Sequence, residues 1–94
     1  MPKVIIGVSW YDREDYPRAR EIMADAHVLP DTYEAWREKA DGQEREAKAT
    51  GLTVVRAVIK PEEFGAWCAA RKLNVDAKAR ASFANEVAAR HLNN

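Results

Sequence analysis

The side chains best able to do chemistry crowd into one run, Ser9-Trp10-Tyr11-Asp12-Arg13-Glu14-Asp15-Tyr16, which sets three aromatics among four charges directly after an apolar segment. In open parallel α/β sheets, ligands bind beyond the carboxyl ends of strands, where loops and helix starts bring free N–H groups and side chains together. Trp10 and Tyr11 would serve as apolar or stacking walls there, Asp12 as a hydrogen-bond acceptor or base, and Arg13 as a contact for a small anion. Lys60 is the second cation of this candidate site. It occupies the position before Pro61 at a helix start, where Ser, Thr, Asp or Asn would accept an N–H bond and a positive charge meets the positive helix end. The same residues also fit a plain structural role. Trp10 and Tyr16 would then seal a small core, Asp12 or Asp15 would cap a helix, and Lys60 would pair with Glu63 or Asp12.

Other reactive residue types carry less. Cys68 follows Trp67 in the second turn of a helix, on a stripe shared with Phe64, and reads as a buried, inert thiol. His27 and His91 have no histidine or cysteine at ligand spacing, so neither a metal nor a cofactor is expected. Glu14-Asp15 and Glu62-Glu63 fall in first helical turns, where the helix dipole accounts for them. Opposite charges three and four apart among Glu34, Arg37, Glu38, Asp41, Arg45 and Lys48 mark a solvated helix face.

The elements that must position these residues follow from apolar periodicity. Val4-Ile5-Ile6-Gly7-Val8 and Val54-Val55-Arg56-Ala57-Val58-Ile59 are apolar almost without alternation, as in parallel strands covered on both faces. The first strand is expected over about Lys3 to Ser9, with Gly7 marking a close approach of another backbone or helix. Asp12 or Asp15 starts a short helix that ends near Asp25, with Tyr16, Ala19, Ile22, Met23 and Ala26 at helical spacing. Pro30 interrupts the connector. Asp31 with Glu34 forms a variant capping box for a helix over about Thr32 to Thr50, which Gly51 terminates. The charged second half of that helix reads as a solvated extension or a partner surface. Thr53 to Ile59 forms the second strand, Pro61 opens a third helix, and Asn74 or Asp76 starts a fourth that turns Ala79, Phe83 and Val87 inward with Ala84 and Ala88 on its flanks. Trp67, in mid-stripe, is expected to matter more to the core than Trp10 at a strand end.

The resulting fold class is α/β, one domain over residues 1–94 in the order βααβαα, with two parallel strands flanked by four helices. The unit occurs twice, Val4-to-Trp10 matching Val54-to-Lys60, although the spacing of the later matches drifts. Duplication and chance recurrence both fit.

Composition excludes several functions. Fifteen Lys and Arg balance fifteen Asp and Glu, which leaves no basic field for nucleic acid. No apolar run approaches membrane-spanning length, and the opening one is too short for a signal segment. A lone cysteine agrees with a reducing cytoplasm. Met1-Pro2 and Asn93-Asn94 read as loose ends.

The runs Ser9-Trp10-Tyr11 with Arg13-Glu14-Asp15-Tyr16, Leu29-Pro30-Asp31-Thr32-Tyr33 with Trp36, and Glu63-Phe64 with Ala66-Trp67-Cys68 resemble small, stand-alone bacterial proteins of uncharacterised function. The resemblance implies a bacterial cytoplasmic protein and carries no active site across. Two function classes remain. The first is a small homo-oligomeric interaction or regulatory module, a homodimer whose second copy extends the sheet, because two apolar strands leave two unpaired edges. The second is a small-molecule or anion-binding protein, possibly an enzyme, that uses Trp10, Tyr11, Asp12, Arg13 and Lys60.

Overall fold

A computed structural model describes residues 4–92. Lys3, the expected start of the first strand, and the expected loose ends at Met1-Pro2 and Asn93-Asn94 lie outside the described residues. The chain forms β1 (Ile5–Trp10), α1 (Tyr16–Ile22), α2 (Tyr33–Ala49), β2 (Thr53–Val58), α3 (Pro61–Ala70) and α4 (Ala77–Leu92). Single 3-10 turns at Arg13–Asp15 and Ala26–Val28 precede α1 and follow it. The order is the expected βααβαα, with two parallel strands and four helices.

The strands pair in register from Ile5 opposite Thr53 to Trp10 opposite Val58. Thr53 N–H donates to the Val4 carbonyl at 2.9 Å and Ile59 N–H to the Trp10 carbonyl at 2.8 Å. Backbone direction alternates along a strand, so the even residues of β1 and the odd residues of β2 form the shared ladder. Side chains alternate too. Gly7 faces α4 so closely that a Cβ there would lie 2.1 Å from the Ala84 carbonyl oxygen. Trp10, of opposite parity, meets Trp36 of α2 with ring centroids 5.1 Å apart. One helix therefore covers each face: α4 the side of Gly7, α2 the side of Trp10.

The close approach at Gly7 corrects the inward face expected for α4. Ala79, Arg80, Ala84 and Ala88 are buried, while Phe83 and Val87 are only half-buried. Alanines suit a helix lying against a glycine in a strand; Phe83 turns aside to Phe64 and Trp67, with centroids at 5.5 and 5.4 Å.

Two of the expected helix caps hold and two differ. Gly51 closes α2 at φ 91°, its N–H on the Lys48 carbonyl at 3.0 Å, in the left-handed region that glycine enters without penalty. Asp76 caps α4 through Ala79 N–H at 3.1 Å. At the start of α2, however, Thr32 Oγ1 rather than Asp31 accepts from Ala35 N–H at 3.1 Å; Asp31 binds Arg20 and Glu34 binds Arg13 instead. Neither Asp12 nor Asp15 caps α1 with its side chain. The Asp12 carbonyl takes the N–H groups of Asp15 and Tyr16, both at 3.1 Å, which leaves the carboxylates free to bind elsewhere. This helix also stops at Ile22, short of Asp25.

The second half of α2 is not merely a solvated extension. Glu44 is 8% exposed, and Arg56 of β2 clasps it with Nε and Nη2 at 2.8 Å each. Planar guanidinium on carboxylate is a strong, directional pairing, and it ties the helix to the strand beneath.

Candidate functional site

At the carboxyl ends of the strands, two of the five candidate side chains belong to the core. Trp10 is 4% exposed and Tyr11 1%. They join Tyr16, Tyr33 and Trp36 in a cluster whose ring centroids are 5.0 to 5.9 Å apart, mostly edge to face as ring quadrupoles favour. The guanidinium of Arg56 lies 3.9 Å from the Trp10 centroid and that of Arg37 5.2 Å. Trp10 is thus enclosed by Trp36 and two cations and does not form an open ligand wall. Buried Tyr11 offers no wall there either.

The remaining three are charged groups that already have partners. Lys60 Nζ donates to Asp12 at 2.6 Å and to Asp15 at 2.9 Å, joining the residue after β2 to the turn before α1. Hydrogen bonds to Asp12 first, then Asp15, hold its ammonium above the ordinary lysine range. Asp12 was among the expected partners of Lys60; Glu63 is replaced by Asp15. Arg13 turns away to Glu34 and lies over the Tyr33 ring, 4.8 Å from its centroid. The structure therefore joins Asp12 to Lys60, separates Arg13 from both, and buries Trp10 and Tyr11. A groove of about 660 Å³ does run beside Arg13, between Tyr16, Arg20, Asp31, Tyr33 and Glu34. Its cations are matched as well: Arg20 meets Asp31 at 3.1 Å.

The lateral edges of the sheet differ. Backbone alternation turns Ile5, Gly7 and Ser9 outward from β1, and Val54, Arg56 and Val58 outward from β2. Among the described residues, none of these N–H or C=O groups has a partner. Beside β1 lie two grooves, of about 250 and 360 Å³, that share Val8, Ser9, Leu29, Trp36 and Gln43. The larger is walled on its other side by Arg80, Ala81 and Ala84 of α4. Val4 and Val28, 59% and 56% exposed, stand toward the two ends of this edge. Beside β2, Val55, Val58 and Val87 line a groove of about 470 Å³ with Arg56, Arg90 and His91.

Two apolar strands announce such edges in the sequence. Nothing announces that Leu29 or Ala81 would wall one of them, because both reach it through tertiary contacts.

Among the described residues no group of His, Cys, Asp and Glu is placed to hold a metal ion, and no helix is long and apolar enough to cross a membrane. No curated protein and no solved structure is significantly similar to the chain. A family model does match it, over residues 3–93, nearly its whole length. The chain belongs to that family, DUF8829, a domain of unknown function.

Proposed function

We propose that the chain is a self-associating interaction module in which β1 pairs, antiparallel, with β1 of a second copy. The observation that carries this reading is the row of unpartnered backbone groups on Ile5, Gly7 and Ser9, flanked by grooves. Two strands span roughly 10 Å and one helix has about that diameter. Two copies side by side would therefore make a four-stranded sheet with two helices abreast on each face. Centred on Gly7, the pairing would add about six main-chain hydrogen bonds.

Charge favours β1 over β2 for a like partner. In the β1 grooves Arg80 is bound by Asp25 and Glu44 by Arg56, each at 2.8 Å, which leaves Lys39 as the one cation on a rim without an ion pair among the described residues. The β2 groove carries Arg90 and His91 on its rim, and a two-fold axis there would bring like charges together. Binding of a small anion by Arg13 and Lys60 would first have to break the pairs with Glu34, Asp12 and Asp15. A bacterial cytoplasmic setting belongs to the same reading, supported by the buried free thiol of Cys68.

Light scattering over a concentration series tests the proposal. The mass should rise from 10.6 kDa toward twice that value. Ser9→Pro removes only an outward N–H, and Ala81→Glu adds a charge to an exposed position on the groove wall; each should keep the protein monomeric. A wild-type mass fixed at 10.6 kDa up to millimolar concentration would refute self-association.

A further inference from the structure

The Tyr11 hydroxyl is buried and has no hydrogen-bond partner. Such groups are rare in folded proteins, because burial strips away water that nothing replaces. Arg80, 8% exposed, is close enough for its charge to act on Tyr11, yet it donates no N–H to the hydroxyl. Arg80 turns Nη1 and Nη2 to Asp25 at 2.8 and 3.0 Å, and Nη1 also reaches Met23 Sδ at 3.3 Å. Asp25 accepts these and, at Oδ2, the Ala77 N–H at 3.1 Å, but accepts nothing from Tyr11. Burial pushes the Tyr11 pKa up to about 12, so the phenol keeps its proton at neutral pH. What the site lacks is an acceptor.

Tyr11 and Arg80 both line the groove between the outer edge of β1 and α4, along with Gly7, Ser9, Ala81 and Ala84. Glycine and alanine walls leave room for a main chain. Pairing of Arg80 with Asp25 leaves no net charge to hold a carboxylate, which makes a neutral carbonyl the fitting acceptor.

We propose that the Tyr11 hydroxyl donates a hydrogen bond to a main-chain carbonyl of the segment that adds alongside β1, so that Tyr11 is a specificity residue of the pairing surface. The proposal rests on the self-association reading. Tyr11→Phe removes the hydroxyl and keeps the ring, and its effects on folding and on assembly have different signs. The folded monomer, measured by chemical denaturation in dilute solution, should be as stable as wild type or more so, because an unpaired buried group is gone. The dimer dissociation constant, from sedimentation equilibrium, should rise about ten- to a hundredfold, the value of two net hydrogen bonds, one from each copy across the two-fold axis. A dissociation constant equal to that of wild type would overturn the proposal while leaving self-association intact; a simultaneous loss of monomer stability would assign the hydroxyl to an internal bond. A wild type that stays monomeric at millimolar concentration would overturn both.

Discussion

The carboxyl ends of the strands and the lateral edges of the sheet are built from the same two elements and differ in whether their charged side chains and main-chain groups have partners. At the ends, Lys60 holds Asp12 and Asp15, Arg13 holds Glu34, Arg20 holds Asp31, and the rings of Tyr16, Tyr33 and Trp36 close over Trp10 and Tyr11. Along the edges, the outward N–H and C=O groups of both strands have no partner among the described residues. Clustered charges and aromatics at a strand end look like a site, yet here they are consumed by the fold. Beyond the buried Tyr11 hydroxyl and Arg20 Nε, the unmet bonding capacity lies along the strands.

The comparison is broken most severely by Trp10→Ala. If the strand end is core, this change should cost about 3–5 kcal/mol, as large buried aromatics do. Trp67→Ala should cost less, since Trp67 is only half-buried, with its indole N–H on Glu86 at 3.1 Å and Arg71 stacked 4.2 Å above its ring. Denaturant midpoints for the two variants check the ranking. It reverses the order expected from helical spacing alone.

That reversal shows where the sequence stops being readable. Strand positions, Pro61 opening α3, Gly51 closing α2 and Asp76 starting α4 are local signals, and each holds. The burial of Trp10 depends on Trp36 crossing it from α2, and that of Glu44 depends on Arg56 in β2; neither neighbour is near in sequence. Phe83 and Val87 give way to Ala84 and Ala88 because Gly7 draws α4 onto the sheet. At the candidate site, the pairing of Asp12 with Lys60 was legible from charge and position. Separation of Arg13 was not, because it depends on Glu34 arriving at the head of α2.

Gly7→Ala sharpens the edge side of the comparison. Its new methyl would collide with the backbone of α4 at Ala84, so α4 must shift, at a cost of about 1–3 kcal/mol typical of overpacking. The variant should unfold at lower denaturant and weaken any pairing at β1, since Gly7 is the centre of that edge.

Glu44→Gln should cost about 1–2 kcal/mol, the scale of a charge-assisted hydrogen bond discounted because Arg56 is 42% exposed. The hydrogen bond from Arg56 holds the Glu44 carboxyl below its ordinary value of 4.5, and that from Arg80 holds Asp25 below 3.8. Folded values depressed in this way contribute stability that is complete above the unfolded values and is lost as pH falls through the folded ones. Wild type should therefore destabilise progressively below about pH 4.5, and Glu44→Gln should show a shallower acid slope in denaturation at stepped pH.

Lys60→Asn should have the smallest effect, leaving the thermal midpoint close to that of wild type. It loses two exposed ion pairs and gains a better cap for α3. A large loss in thermal midpoint would show that the strand end relies on this cation for more than surface pairing.

Amide hydrogen exchange, resolved by residue and followed across protein concentration, tests the central claim most directly. The account predicts that the outward amides of Ile5, Gly7 and Ser9 become protected as concentration rises, while those of Val54, Arg56 and Val58 continue to exchange rapidly. Rapid exchange at Gly7 and Ser9 at every concentration, or protection that appears on β2 instead, would contradict it.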